Sequence, residues 1–244
     1  MVFLLIFISV LPVIWLAIYI YNKDISKESK TLLLGLFSSG ILAIIFSTII
    51  NILILLLLPD YYLTDNYEDF NFISLFLILF FEVAFVEEIS KWVMLRIFGY
   101  RSKKFDQMYD IIVYSVFIAL GFALVENLLY VLQEGITVGI YRAIFSVPGH
   151  ACFGVFMGYY LGLARYYYKK NKTLYIINII YSIFIPVMLH TIFNFCLINT
   201  NFYFWILFIL FIVILYTLSI KKINEFSHIK DPLEWGFFNW HDYS

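Results

Sequence analysis

The chain has 244 residues, of which 63% are hydrophobic and only 14% charged, with a mean hydropathy of +0.91 and a net charge of −1. That balance excludes a water-soluble globular domain, and the near-neutral charge argues against a nucleic-acid partner. Cys152 and Cys196 both fall in apolar runs, which reads as buried free thiols rather than a disulfide or a metal pair.

In chain order, seven apolar runs predict membrane-spanning helices: 2–21, 32–58, 72–98, 108–133, 141–165, 174–198 and 202–220. Each is long enough to cross a hydrocarbon core of about 30 Å. The fold class expected is therefore all-α, a polytopic helix bundle embedded in the lipid bilayer. The first run lacks a basic leader and a small-residue cleavage site, so it reads as a retained helix rather than a signal peptide. Residues 1–220 are expected to form one membrane domain, followed by an aromatic, mixed-charge tail over 221–244 on the cytoplasmic face.

Fourteen of the sixteen basic residues lie in loops one, three and five and in the tail. Loops two, four and six hold only Arg142, and loop two is acidic (Asp60, Asp65, Glu68, Asp69). The excess of Lys and Arg on cytoplasmic loops then predicts an external N-terminus and a cytoplasmic C-terminus.

Charged groups inside a bilayer cost roughly 2.5–3.5 kcal/mol each on insertion scales, so those retained mark a pathway or a site. The third run reads AFVEEISKWVMLRIF over 84–98. At 100° per residue, Lys91 projects between Glu87 and Glu88 and can partly neutralise both. One ammonium balances one carboxylate, leaving the second as a proton acceptor that suits a general base. The plainer alternative is a purely stabilising pair. Glu82 falls away from that face.

The fourth run carries Glu126 beside Asn127, with Phe122 and Tyr130 one turn away on the glutamate's face. In the fifth, Ser146, His150, Gly154, Gly158 and Gly162 recur every four residues on one stripe. The glycines allow a close helix approach, and Pro148 predicts a bend. In the sixth, His190 and Asn194 sit at i and i+4 and point the same way, a candidate pair of donors for an oxyanion. A 1.5 Å rise places Glu126 roughly 10 Å, and His150 and His190 roughly 14 Å, from the outer helix ends. Glu87 lies roughly 22 Å from the start of its helix. Four helices thus bring polar groups to similar depth, which predicts an aqueous cavity opening outward.

No HExxH, no GxSG and no YD paired with GxGD is present. Carboxylates, histidines and an asparagine remain, an inventory that fits hydrolysis by a glutamate-activated water. The segments EEISK, GFALVEN, RAIFSVPGHA and HTIFN occur in this order, each within a membrane span, and resemble the four motifs of the PrsW family of intramembrane proteases. That family is related more distantly to the CAAX prenyl endopeptidases.

The resemblance implies site-1 cleavage of a single-span anti-sigma factor in the bacterial cell membrane, the start of a signalling cascade. It implies Glu87 and Glu88 as essential carboxylates, His190 with Asn194 on the oxyanion side, and Glu126 and His150 completing the catalytic set. Lys91, Asn127 and Arg142 would support them. Because some descriptions of the family make it metal-dependent, zinc on Glu87, Glu126, His150 and His190 is the alternative to the metal-free site favoured here. Lys91 stands one place before the arginine of the CAAX enzymes' EExxxR. Other readings are a CAAX-type endopeptidase, a transporter or a non-catalytic scaffold. A transporter is disfavoured because no internal repeat is visible.

Overall fold

The computed structural model describes residues 2–57, 70–100, 107–199 and 201–227. Within them the chain forms seven helical rods. These are α1 (Val2–Lys23), α2 (Lys30–Leu57), α3 (72–99), α4 (Met108–Glu134), α5 (136–167), α6 (Lys172–Ile198) and α7 (Phe202–Ser227). All but α3 are long and apolar enough to cross a membrane. Rod α3 is equally long but carries Glu82, Glu87, Glu88, Lys91 and Arg96. The outward faces of α1, α2 and α7 are rows of exposed Leu, Ile, Phe and Trp, as a lipid-facing surface requires. The chain is a multi-pass membrane protein.

Polar side chains start the rods where the sequence supplies them. Asn71 Oδ1 accepts from the Ser74 amide at 2.9 Å to cap α3, and Asn171 Oδ1 accepts from the Leu174 amide at 3.1 Å to cap α6. Gln107 and Asp110 form a reciprocal capping box at α4. Between α4 and α5 the chain reverses at Gly135, whose φ of 85° favours glycine.

Two rods are not regular. In α3, π turns occupy Leu79–Ala84 and Leu95–Gly99, on either side of the α-helical Phe85–Met94. In α5, Ile136–Tyr141 leads into a π turn at Arg142–Ser146 and then the helix Val147–Tyr167. The bend expected of Pro148 thus finds its counterpart in a widened turn just before it, where the ring's missing N–H and its bulk interrupt the regular ladder.

Two expectations on boundaries are corrected. Arg142 is not a loop residue: the single-residue turn at Gly135 starts α5 earlier, and Arg142 stands inside the rod. The seventh helix continues through Ser227, past the end expected at residue 220. The rest of the tail, the acidic residues of loop two, and Arg101, Lys103, Lys104 and Lys230 lie outside the described residues.

Rod α4 is the centre of the bundle, buried along almost all of Met108–Ala123 and packed against α5, α2 and α1. Backbones touch where glycines permit it. A Cβ on Gly158 of α5 would fall 2.7 Å from Ile111 O of α4, and one on Gly40 of α2 would fall 2.0 Å from Ile118 O. The glycine stripe seen in the fifth run therefore faces α4, and a second such contact fixes α2. Trp92 Nε1 donates to Ser182 Oγ at 2.9 Å and ties α3 to α6.

Candidate active site

Four rods bring their polar residues together at the end of the bundle that carries the second, fourth and sixth loops. Each takes part for a local reason. Residues 85–94 are regular α-helix, so Glu87, Glu88 and Lys91 keep the azimuths that a 3.6-residue turn prescribes. Lys91 Nζ lies 2.7 Å from Glu88 Oε1 and 3.5 Å from Glu87 Oε2.

The two glutamates differ in surroundings. Glu88 is fully buried, and its Oε1 also accepts from His190 Nδ1 at 3.0 Å. Glu87 has a side chain 14% exposed and lines a cavity of about 510 Å³. Its Oε2 is 4.0 Å from His190 Nδ1. Glu88 therefore holds the frame, and Glu87 faces the space where a ligand fits.

The lysine and arginine of the site each lie on an aromatic face supplied by α4. Lys91 Nζ sits 4.0 Å above the Phe122 ring, and Arg142 lies 4.0 Å above Tyr130. These rings stand one turn on either side of Glu126, so one face of α4 carries an anion between two cation seats. Arg142 reaches Glu126 Oε2 at 3.0 Å and donates from Nε to Asn127 Oδ1 at 3.2 Å. The π turn at 142–146 is what turns Arg142 toward α4. Lys91 and Arg142 are the two basic residues outside loops one, three and five and the tail.

The partners assign both imidazole tautomers. Lys91 donates to His150 Nδ1 at 3.1 Å, so the His150 proton is on Nε2, which donates to Glu126 Oε2 at 2.7 Å. His190 donates from Nδ1 to Glu88, which leaves Nε2 as the nitrogen available to the cavity that this residue lines. Its ring stacks on Phe153 with centroids 5.0 Å apart and stands 5.1 Å from His150. Asn194 lines the cavity one turn beyond His190.

Glu87, Glu88, Glu126, His150, His190 and Asn194 are thus gathered with Lys91, Asn127 and Arg142 into one cluster, and Glu82 does not line the cavity. Phe153 and Ser146 belong to the site without having been given a role in it from sequence. The spacing of Phe153 three residues after His150, on the same helix face, was the signal available for it. Cys152 and Cys196 are free.

The zinc alternative read from sequence named Glu87, Glu126, His150 and His190. Among the described residues, the group whose donor atoms all lie within 4.8 Å of one another is Glu87, Glu88, His150 and His190, with Glu88 in place of Glu126. Two carboxylates and two imidazoles suit zinc by type. The arrangement does not suit it, because the Lys91 ammonium already lies within 3.5 Å of three of the four.

Residues 28–218 match the family model described as PrsW family intramembrane metalloprotease. Among curated proteins, the chain is 36% identical over 225 residues to Protease PrsW of Oceanobacillus iheyensis, covering 89% of this chain and 94% of that protein. It is 30% identical over 234 residues to Protease PrsW of Clostridioides difficile, covering 94% of each. Protease PrsW of Bacillus subtilis is 36% identical over 151 residues, covering 62% of this chain and 67% of that protein. No solved structure matches the chain.

Proposed function

Because the chain belongs to the PrsW family of bacterial intramembrane proteases, we propose that it hydrolyses a peptide bond of a single-span membrane protein with a water activated by Glu87. One observation carries this reading: of the adjacent glutamates, only Glu87 lines the cavity, across from His190 and Asn194. Glu87 takes a proton from water as the water oxygen bonds to the scissile carbonyl carbon. The Asn194 amide donates to the oxyanion, and the proton passes to the leaving amine as the C–N bond breaks. With Nδ1–H directed to Glu88, a neutral His190 presents a lone pair at Nε2 and fits the carrying of that proton. This departs from the expectation of two donors on the sixth helix.

Mixing the purified protein with a single-span substrate, with and without chelator, tests this directly. Cleavage should persist after exhaustive chelation, because Glu87 holds the water itself. Zinc that is lost together with activity, and that restores it on return, would overturn the metal-free mechanism.

Asn194→Ala should cut the rate about 10²–10³-fold by removing one donor to the transition state. His190→Ala should cost about 10²–10⁴-fold through the proton transfers. The double variant should lose less than the product of the two, because both side chains serve the same step. A full product would indicate independent structural roles.

The substrate class is an anti-sigma factor or a similar single-span protein, a reading supported by the four motifs. The cavity is built from the starts of α3, α5 and α7 and the ends of α4 and α6, opposite the lysine-rich ends. With basic loops in the cytoplasm, the site opens outside, and the scissile bond belongs to the substrate's external juxtamembrane segment or outer span. In a background without Cys152 and Cys196, Glu134→Cys should react with an impermeant thiol reagent in intact cells. Lys170→Cys should react only after the membrane is opened. The reverse pattern would move the site to the cytoplasmic half and favour a CAAX-type endopeptidase.

A further inference from the structure

We propose that Lys91 is a built-in cation standing where a divalent metal would sit, and that the chain deprived of it binds a zinc-type ion on Glu87, Glu88, His150 and His190. Nζ of Lys91 lies 2.7 Å from Glu88 Oε1, 3.1 Å from His150 Nδ1 and 3.5 Å from Glu87 Oε2. The fourth donor, His190 Nδ1, is 3.0 Å from the same Glu88 oxygen and would ligate once its proton moves to Nε2. Zinc bonds such atoms at about 2.0–2.2 Å. An ion bound to Glu88 Oε1 and His150 Nδ1 would therefore overlap the ammonium, so the group holds one cation or the other.

Two further features point to a cation seat rather than an ordinary ion pair. Glu88 is fully buried, yet its Oε2 has no hydrogen-bond partner, and Oε2 of Glu87, though 3.5 Å from the Lys91 ammonium, makes no hydrogen bond either. An ammonium with three donors leaves this coordination capacity unused, whereas a divalent ion takes it up. Charge points the same way. Glu87, Glu88 and Glu126 face two fixed cations, Lys91 and Arg142. Removing Lys91 leaves two uncompensated negative charges at membrane depth, a debt that a divalent ion cancels. The chain thus carries a metal-type donor set closed by its own lysine. The inference concerns which ion the group holds and not which bond is cut, so it stands or falls apart from the proposed proteolysis.

The test uses the full chain in detergent, wild type and Lys91→Ala, equilibrated with cobalt(II), separated from free metal, and read by elemental analysis and visible absorption. Lys91→Ala should retain about one cobalt per chain and bind it at least ~10²-fold more tightly than wild type, because the ammonium and its charge no longer occupy the ion's position. Adding Glu88→Gln to Lys91→Ala should abolish the binding and the cobalt spectrum. Lys91→Ser serves if the alanine variant is not recovered folded, with the same outcome expected. Cobalt or zinc held by wild type as tightly as by the variant would overturn the proposal. So would a folded Lys91→Ala or Lys91→Ser protein that retains no metal.

Discussion

Glu87→Gln is expected to cut the cleavage rate about 10²–10⁴-fold while the protein inserts and folds as before. The amide keeps the shape of the side chain and loses its basicity. Glu87 lines the cavity, makes no hydrogen bond at Oε2 and meets Lys91 only at 3.5 Å, so the fold relies on its charge less than on that of Glu88. Its nearest cation, Lys91, is closer to Glu88 by 2.7 Å against 3.5 Å. Three carboxylates share two cations in the cluster, and Glu87 is the one least matched. Turnover of a single-span substrate, measured beside the melting temperature in detergent, separates the two effects. Near-normal turnover by Glu87→Gln would remove this residue from the role of base.

Glu88→Gln should instead unsettle the structure, lowering stability by about 3–5 kcal/mol, the usual cost of breaking a buried ion pair from one side. Glu88 Oε1 receives both the Lys91 ammonium and the His190 Nδ1–H, and the residue has no exposure to share the loss with solvent. Neutralising it leaves a buried ammonium facing His150 and frees the His190 ring to turn. Activity should fall too, but as a consequence of a loosened site. A Glu88→Gln protein with wild-type stability and no activity would reverse the assignment of the two glutamates.

The rods and the identity of the polar residues were legible in the sequence, since both depend on local pattern. A twenty-residue apolar run becomes a helix in lipid because only that satisfies its backbone groups. Within one regular turn, azimuth follows from spacing, which is why Lys91 lies against both Glu87 and Glu88. The glycine stripe likewise announced a close approach, though not that α4 was the partner.

Only the tertiary structure decided which glutamate faces the cavity, because that depends on how α3 is rotated against α6 by contacts such as Trp92 with Ser182. It alone brought Arg142 to Glu126. The sequence showed an arginine at a span boundary, whereas the one-residue turn at Gly135 and the π turn at 142–146 carry it into the site. It also assigned the histidine tautomers, which depend on partners 24 to 102 residues away. Spacing fixes direction within a helix. Distances between helices follow from depth and rotation, which are set where Gly40 and Gly158 let backbones meet.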